Sequence, residues 1–402
     1  MRAALLAATT SAVLLAPVPA AAAPGATATV RCPRVPTPAM SRPPRPSPPP
    51  DVPAQRMVGG AGLATDGLVV PAGAGAPPAV SATSWLVADL DTGQVLGGCG
   101  PHRYGTPASV QKLLLAATMM PRLDPRQTVT VTDEDMNIEP GSSAVGLVEG
   151  GRYTVETIWL GLLLNSGNEA ANALARLGSG TDRAADGVRA MNDEAHRLGA
   201  LQTHAVTPSG LDGEGQFTSA YDLALIARAC FAQPAFRRYA LTEQAPIPVQ
   251  PAQRTKGFQI QNENQLIYRY PGALGGKTGF TDLARHTYVG AAERGGRRLV
   301  VTLLGAESAP MRGWEQGAAL LDWGFTLPRD ASVGRLVEPG ELTATPSAVP
   351  SALAAPGGPR PAAASGPARS GSGWLWSVTA ISGAGVLVLL GGLLWRRRRR
   401  LP

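Results

Sequence analysis

The sequence predicts an α+β fold, αβα-sandwich-like. One antiparallel sheet is assembled from both ends of a domain and flanked by helices, and a helical subdomain is inserted between the two halves of the sheet. Three observations predict it: a strand–turn–strand pattern near residue 90, helical periodicity between 155 and 231, and a second strand–turn–strand pattern after 285 followed by a helix.

Trp85–Leu90 and Gln94–Leu96 flank Asp91-Thr92-Gly93 and read as a hairpin with its turn at the glycine. The helical middle comes next. Val155–Leu164 is strongly apolar, Glu169–Leu177 is rich in alanine, and Ser219–Phe231 carries Leu223, Ile226 and Ala227 at helical spacing. His286–Ala292 and Leu299–Leu304 are joined across Gly295-Gly296, a pair suited to a tight hairpin turn. Trp314–Phe325, with Ala318, Leu321 and Phe325, closes the domain as a helix. The folded domain is placed at 81–332.

The flanks are read separately. Residues 1–23 have Arg2, an apolar stretch through Leu14-Leu15 and Ala21-Ala22-Ala23, the pattern of a secretory signal peptide. Residues 24–80 form a linker: proline-dominated from Pro33 to Pro53, then Gly/Ala-rich over 54–80, where a poorly ordered spacer and a segment lying along the domain surface are both open. Residues 333–373 begin with a strand-like piece at Val333–Val337 and continue as a low-complexity tether. Trp374–Trp395 is 22 residues without a charge, about 33 Å as a helix, and reads as a transmembrane helix with tryptophans at its ends. The arginines of 396–402 mark a cytoplasmic tail, which places the domain outside a cell membrane that the chain crosses once.

With Arg2 and Arg396–Arg400 set aside, only +1 of the formal +7 charge remains, so no basic patch for nucleic acid is expected. His102, His196, His204 and His286 are scattered and no CxxC or HExxH occurs, so neither a metal nor a cofactor is expected. Cys99 and Cys230 fall in the domain and are the expected disulfide pair in an oxidising compartment; three unpaired, buried thiols are the alternative.

Three motifs carry the chemistry: Ser109-Val110-Gln111-Lys112, Ser166-Gly167-Asn168 and Lys277-Thr278-Gly279. Pro107-Ala108 suit a helix start, and the i,i+3 spacing puts Ser109 and Lys112 on one face. A serine hydroxyl needs a base. A lysine serves only when burial or a neighbouring cation, here Lys277, removes its proton. Ser166, in the turn between two helices, would relay a proton to the leaving amine, and Asn168 would hydrogen-bond a substrate amide. Lys277 and Thr278, on a strand edge, would face a substrate carboxylate, while Gly279 permits close approach of a substrate backbone. Pro271–Thr278 misses a nucleotide-binding P-loop by its first glycine and is not read as one.

Together these motifs resemble the penicillin-binding proteins and serine β-lactamases. Further matches narrow the resemblance to the low-molecular-mass serine-type D-alanyl-D-alanine carboxypeptidases, the S11 peptidases: Pro107-Ala108-Ser109, Asn165–Ala171, Ser209-Gly210-Leu211-Asp212, Thr218–Leu223 and Lys277–Thr281. The resemblance covers residues 82–328. It implies that Ser109 attacks a terminal D-Ala-D-Ala bond of a peptidoglycan stem peptide, that the amides of Ser109 and Phe280 form the oxyanion hole, that Thr281 joins the substrate site, and that β-lactams acylate Ser109 as inhibitors. Arg312 is a candidate anchor for the substrate carboxylate. Leu283-Ala284-Arg285-His286 depart from the Ala-Gly-rich family pattern, and Arg285 is expected to reshape the cleft rim. A serine β-lactamase needs a water-activating glutamate, a role not given to Glu169. A catalytically silent wall-binding protein would not need Ser109, Lys112 and Lys277 together.

Overall fold

The computed structural model describes residues 29–39 and 43–343. The signal-peptide, transmembrane and tail expectations, and the tether past 343, concern residues outside these. Among the described residues, no helix is long and apolar enough to cross a membrane.

The first hairpin forms as expected from β2 (Ser84–Asp89) and β3 (Gln94–Cys99). Asp89 Oδ1 accepts hydrogen bonds from the amides of Asp91 and Thr92, and Gly93 takes φ +74°, so the turn is closed by its own side chain. Far along the chain come β4 (Ala273–Thr281), β5 (Arg285–Arg294) and β6 (Arg297–Ala306), antiparallel neighbours in that order. β6 pairs with β2 from Leu299 opposite Asp89 to Leu304 opposite Ser84, which welds the two chain ends into one sheet. Two short edge strands, β1 (Leu68–Val69) and β7 (Gly334–Arg335), share the outer edge of β3, giving seven strands.

Alternation along the inner strands sorts the core into two layers. Leu86, Ala88, Val289, Ala291, Val300 and Leu304 belong to the cluster under the helical subdomain. Trp85, Val87, Tyr288, Leu299, Val301 and Leu303 pack with Leu320 and Leu321 of the closing helix (Gly313–Thr326) on the other face. The inserted subdomain holds α1 (Lys112–Met119), α2 (Val155–Asn165), α3 (Asn168–Gly178), α4 (Ala184–Leu198) and α5 (Ala220–Ala232). Of these, α4 was not expected; its apolar face is sparse, with only Met191, Ala195 and Leu198 as fully buried side chains beside Gly187.

One open choice is decided and one expectation is revised. The Gly/Ala-rich segment lies along the domain: Leu63 and Val80 are fully buried and Leu68–Val69 enters the sheet. The disulfide joins Cys32 to Cys99, not Cys99 to Cys230. Strand β1 leaves Cys99 at the sheet edge beside the N-terminal segment, where Val30 O accepts the Leu68 amide. Cys230 lies on α5, wholly buried and free, with its thiol against the Leu113 carbonyl.

Candidate active site

Ser109 sits on a 3-10 turn, Ala108–Gln111, that runs into α1. The turn is entered sharply: Ala108, fully buried, takes φ +49°, a left-handed conformation that a Cβ disfavours. Its carbonyl is packed against Gly210, where any side chain would collide with it. Gly279 of β4 lies against the other side of the turn. A Cβ there would stand 2.8 Å from Ser109 N and 3.1 Å from Val110 N. The glycine of the Lys-Thr-Gly motif is thus required by the approach of the strand to the serine backbone.

Lys112 is 0% exposed. Its Nζ lies 2.9 Å from Ser109 Oγ, 2.8 Å from Asn168 Oδ1 and 2.9 Å from the Ser209 carbonyl. Burial, and secondarily the charge of Lys277, hold its pKa well below the usual lysine value. A neutral amine has two hydrogens and one lone pair. Asn168 Oδ1 and Ser209 O are acceptors only, so they take the hydrogens and leave the lone pair for the Ser109 hydroxyl.

Lys277, also buried, donates to the Thr278 carbonyl at 2.8 Å. Burial pushes it down only to about 8, with Glu263 opposing the shift, so at neutral pH Lys277 carries charge. The two lysines therefore divide into an amine disposed to be neutral and a cation. Ser166, at the C-cap of α2 with φ +60°, is 4% exposed, and its Oγ has no hydrogen-bond partner. It lines the same cleft as Ser109 and Asn168, a cavity of about 620 Å³. An unpartnered buried hydroxyl carries a desolvation penalty that a bound polar group would relieve.

Thr278, Gly279, Phe280 and Thr281 form the β4 wall of that cleft. Thr281 Oγ1 donates to Asp212 at 2.8 Å and accepts from the Ala284 amide, so its hydroxyl ties two walls together. Arg312, exposed, borders a side pocket of about 250 Å³ that shares Thr278, Gly279, Glu263 and His286 with the cleft. Arg285 does not face the rim as expected. It is buried, 3.1 Å from Glu307, with its guanidinium against the Phe280 ring.

Sequence reasoning gave no role to the Ser209 carbonyl, to Asp212 or to Glu263. A backbone acceptor leaves no trace in residue type, although the Ser209–Asp212 motif marked the segment. Glu169 is wholly buried and its Oε1 accepts the amides of Val145, Gly146 and Leu147. It fixes the loop whose Ser142 and Ser143 line the cleft. No cluster of metal-ligating side chains occurs among the described residues.

The profile of the S11 peptidases, described as D-alanyl-D-alanine carboxypeptidase, matches residues 72–308. The D-alanyl-D-alanine carboxypeptidase DacB2 of Mycobacterium tuberculosis is 45% identical over 276 residues, 67% of this chain and 91% of the relative. DacD of Escherichia coli is 36% identical over 62% of this chain, which spans 64% of that relative's length. A crystal structure of the D-alanyl-D-alanine carboxypeptidase from M. tuberculosis superposes with a TM-score of 0.62 at 44% identity, covering 67% of this chain and all of the other. The Streptomyces K15 DD-transpeptidase gives 0.59 at 26% identity, over 63% of this chain and all of the other. With a matching profile over more than half its length, the chain belongs to the S11 family of serine D-alanyl-D-alanine carboxypeptidases.

Proposed function

We propose that the protein is a membrane-anchored, extracytoplasmic D-alanyl-D-alanine carboxypeptidase that trims peptidoglycan stem peptides through an acyl-enzyme on Ser109. The observation that carries this reading is the dehydrated Lys112 amine, 2.9 Å from Ser109 Oγ with two pure acceptors fixing its remaining directions. Lys112 takes the hydroxyl proton as Oγ attacks the carbonyl of the penultimate D-alanine. The peptide C–N bond breaks, the proton passes by way of Ser166 to the leaving amine, and free D-alanine departs. Water then attacks the ester with Lys112 again as base, which restores the serine.

The amides of Ser109 and Phe280 hold the developing oxyanion; the contact of Gly279 with the Ser109 amide supports this, since it brings the two chain segments together. Lys277, Thr278 and Arg312 receive the terminal carboxylate. Thr281 contributes by bracing the wall. β-Lactams acylate Ser109 in the same way: Glu169, whose Oε1 holds three amides, is wholly buried and does not line the cleft, which favours the carboxypeptidase over a β-lactamase. Membrane anchoring rests on the uncharged stretch Trp374–Trp395 and the arginines after it.

The test is mass spectrometry of a stem pentapeptide incubated with the purified full chain, alongside labelling by fluorescent penicillin. Loss of one D-alanine and a label on Ser109, both abolished in Ser109→Ala, are expected. An intact pentapeptide would remove the assignment. Recovery of the chain in the soluble fraction of its host would remove the anchor alone.

A further inference from the structure

Phe280 is an exposed aromatic, 48% accessible, at the end of the strand that lines the cleft. An aromatic ring in that position would rotate freely unless something held it. Two groups do. The His286 ring lies 4.7 Å from it and the Arg285 guanidinium 5.2 Å from its centre, within cation–π range.

Arg285 is itself held in a way that is energetically unfavourable locally. It opens β5 at φ +58°, left-handed, where glycine would be the unstrained choice. It is 7% exposed, and its guanidinium makes a two-pronged contact with Glu307, Nε to Oε1 at 3.2 Å and Nη2 to Oε2 at 3.1 Å. Asp282 approaches at 3.6 Å. Glu307 is in turn pinned: its amide donates to Ser81 Oγ at 2.9 Å and its carbonyl accepts from Gln316 Nε2 at 2.9 Å. Gln316, on the closing helix, is wholly buried and also accepts the Ser81 amide. A continuous set of contacts thus runs from the buried layer behind the sheet to the ring at the cleft.

We infer that Arg285 is a positioning residue for the acyl-transfer site: its buried pair with Glu307 holds the Phe280 ring, and with it the backbone amide that follows Gly279, in place against the cleft. The inference rests on the acyl-transfer reading above. Arg285 does not itself line the cleft, so it acts through Phe280.

The test is a double-mutant cycle. Arg285→Gly combined with Glu307→Gln removes the pair without leaving a buried carboxylate alone, and glycine accepts the left-handed backbone. Phe280→Ala removes the ring in both the native and the paired-variant background. Measured well below the melting temperature, kcat/KM for D-alanine release and the rate of penicillin acylation should fall by about tenfold in the Arg285/Glu307 variant, mostly in kcat. Phe280→Ala should then add less than twofold. A variant that melts earlier yet keeps kcat/KM within twofold of the parent overturns the inference, as do fully multiplicative effects of the two changes. If the combined variant does not fold, Arg285→Gly alone takes its place in the cycle. A native enzyme that takes no label removes the site assignment and this inference with it, whereas an active native enzyme with multiplicative effects removes only the inference.

Discussion

Gly279→Ala is the smallest change with a large expected effect. The added carbon would lie 2.8 Å from Ser109 N and 3.1 Å from Val110 N, and would also meet Thr287 Oγ1. Ordinary contact begins near 3.4 Å, so the serine turn must retreat from β4 by about 0.6 Å. The turn cannot absorb this elsewhere, because Ala108 is already left-handed and backed by Gly210. A retreat of that size is as large as the margin between the 2.9 Å Ser109–Lys112 contact and the roughly 3.5 Å edge of a hydrogen bond. It also displaces the Ser109 amide from any shared oxyanion position. Misplacement on this scale costs about 10- to 100-fold in kcat/KM, and overpacking costs about 1–3 kcal/mol in stability. Stopped-flow acylation by fluorescent penicillin reads the first quantity and a circular-dichroism melt the second. A folded variant that acylates within twofold of the parent would show that the strand does not set the position of the nucleophile.

Lys112→Met keeps the length of the side chain and removes the base. Acylation should fall by about 10²- to 10⁴-fold while the melt shows a folded protein, and a rate within tenfold of the parent would exclude Lys112 as the proton acceptor. The rate of acylation should fall as pH rises through about 8, because Lys277 then loses the charge that helps depress Lys112 and that, in the proposed function, meets the substrate carboxylate; a rate still climbing at pH 9.5 contradicts the division of labour between the two lysines. Cys32→Ser opens a bridge spanning 67 residues and should lower stability by about 4 kcal/mol in the loop-entropy account. Thiol titration of the native chain should find no reactive group until denaturation exposes Cys230 alone.

Local pattern carried the hairpins, the three apolar helices and the glycine-bearing strand edge, because each of those elements buries a face its own residues define. Pairing between distant segments was less legible. Cys99 meets Cys32 because two residues, Leu68 and Val69, add a strand to the sheet edge, a contact too short to leave a periodic pattern. Helix α4 was missed because its neighbours supply much of its packing through backbone and small residues: Gly187 sits where a Cβ would strike the Ala175 carbonyl. At the site, residue types located Ser109, Lys112, Asn168 and Lys277, whereas the Ser209 carbonyl and the Arg285–Glu307 pair needed tertiary structure, since neither a main-chain oxygen nor a partner 22 positions away has a local signature.

The site also explains why the sheet is interrupted by helices where it is. A neutral lysine at physiological pH requires an amine removed from water, and removal from water requires walls from several directions. Here α1 supplies Lys112, α3 supplies Asn168, and the loop before α5 supplies Ser209 O, while β4 from the opposite end of the chain brings Lys277 and Gly279. None of these segments alone could depress the amine, because each covers one side of it. The base therefore exists only when the helical insertion and the late strands have docked on each other. In the proposed mechanism, proton transfer therefore depends on the closed interface between the two halves of the fold, and any change that loosens that interface rehydrates Lys112 and favours its protonated form.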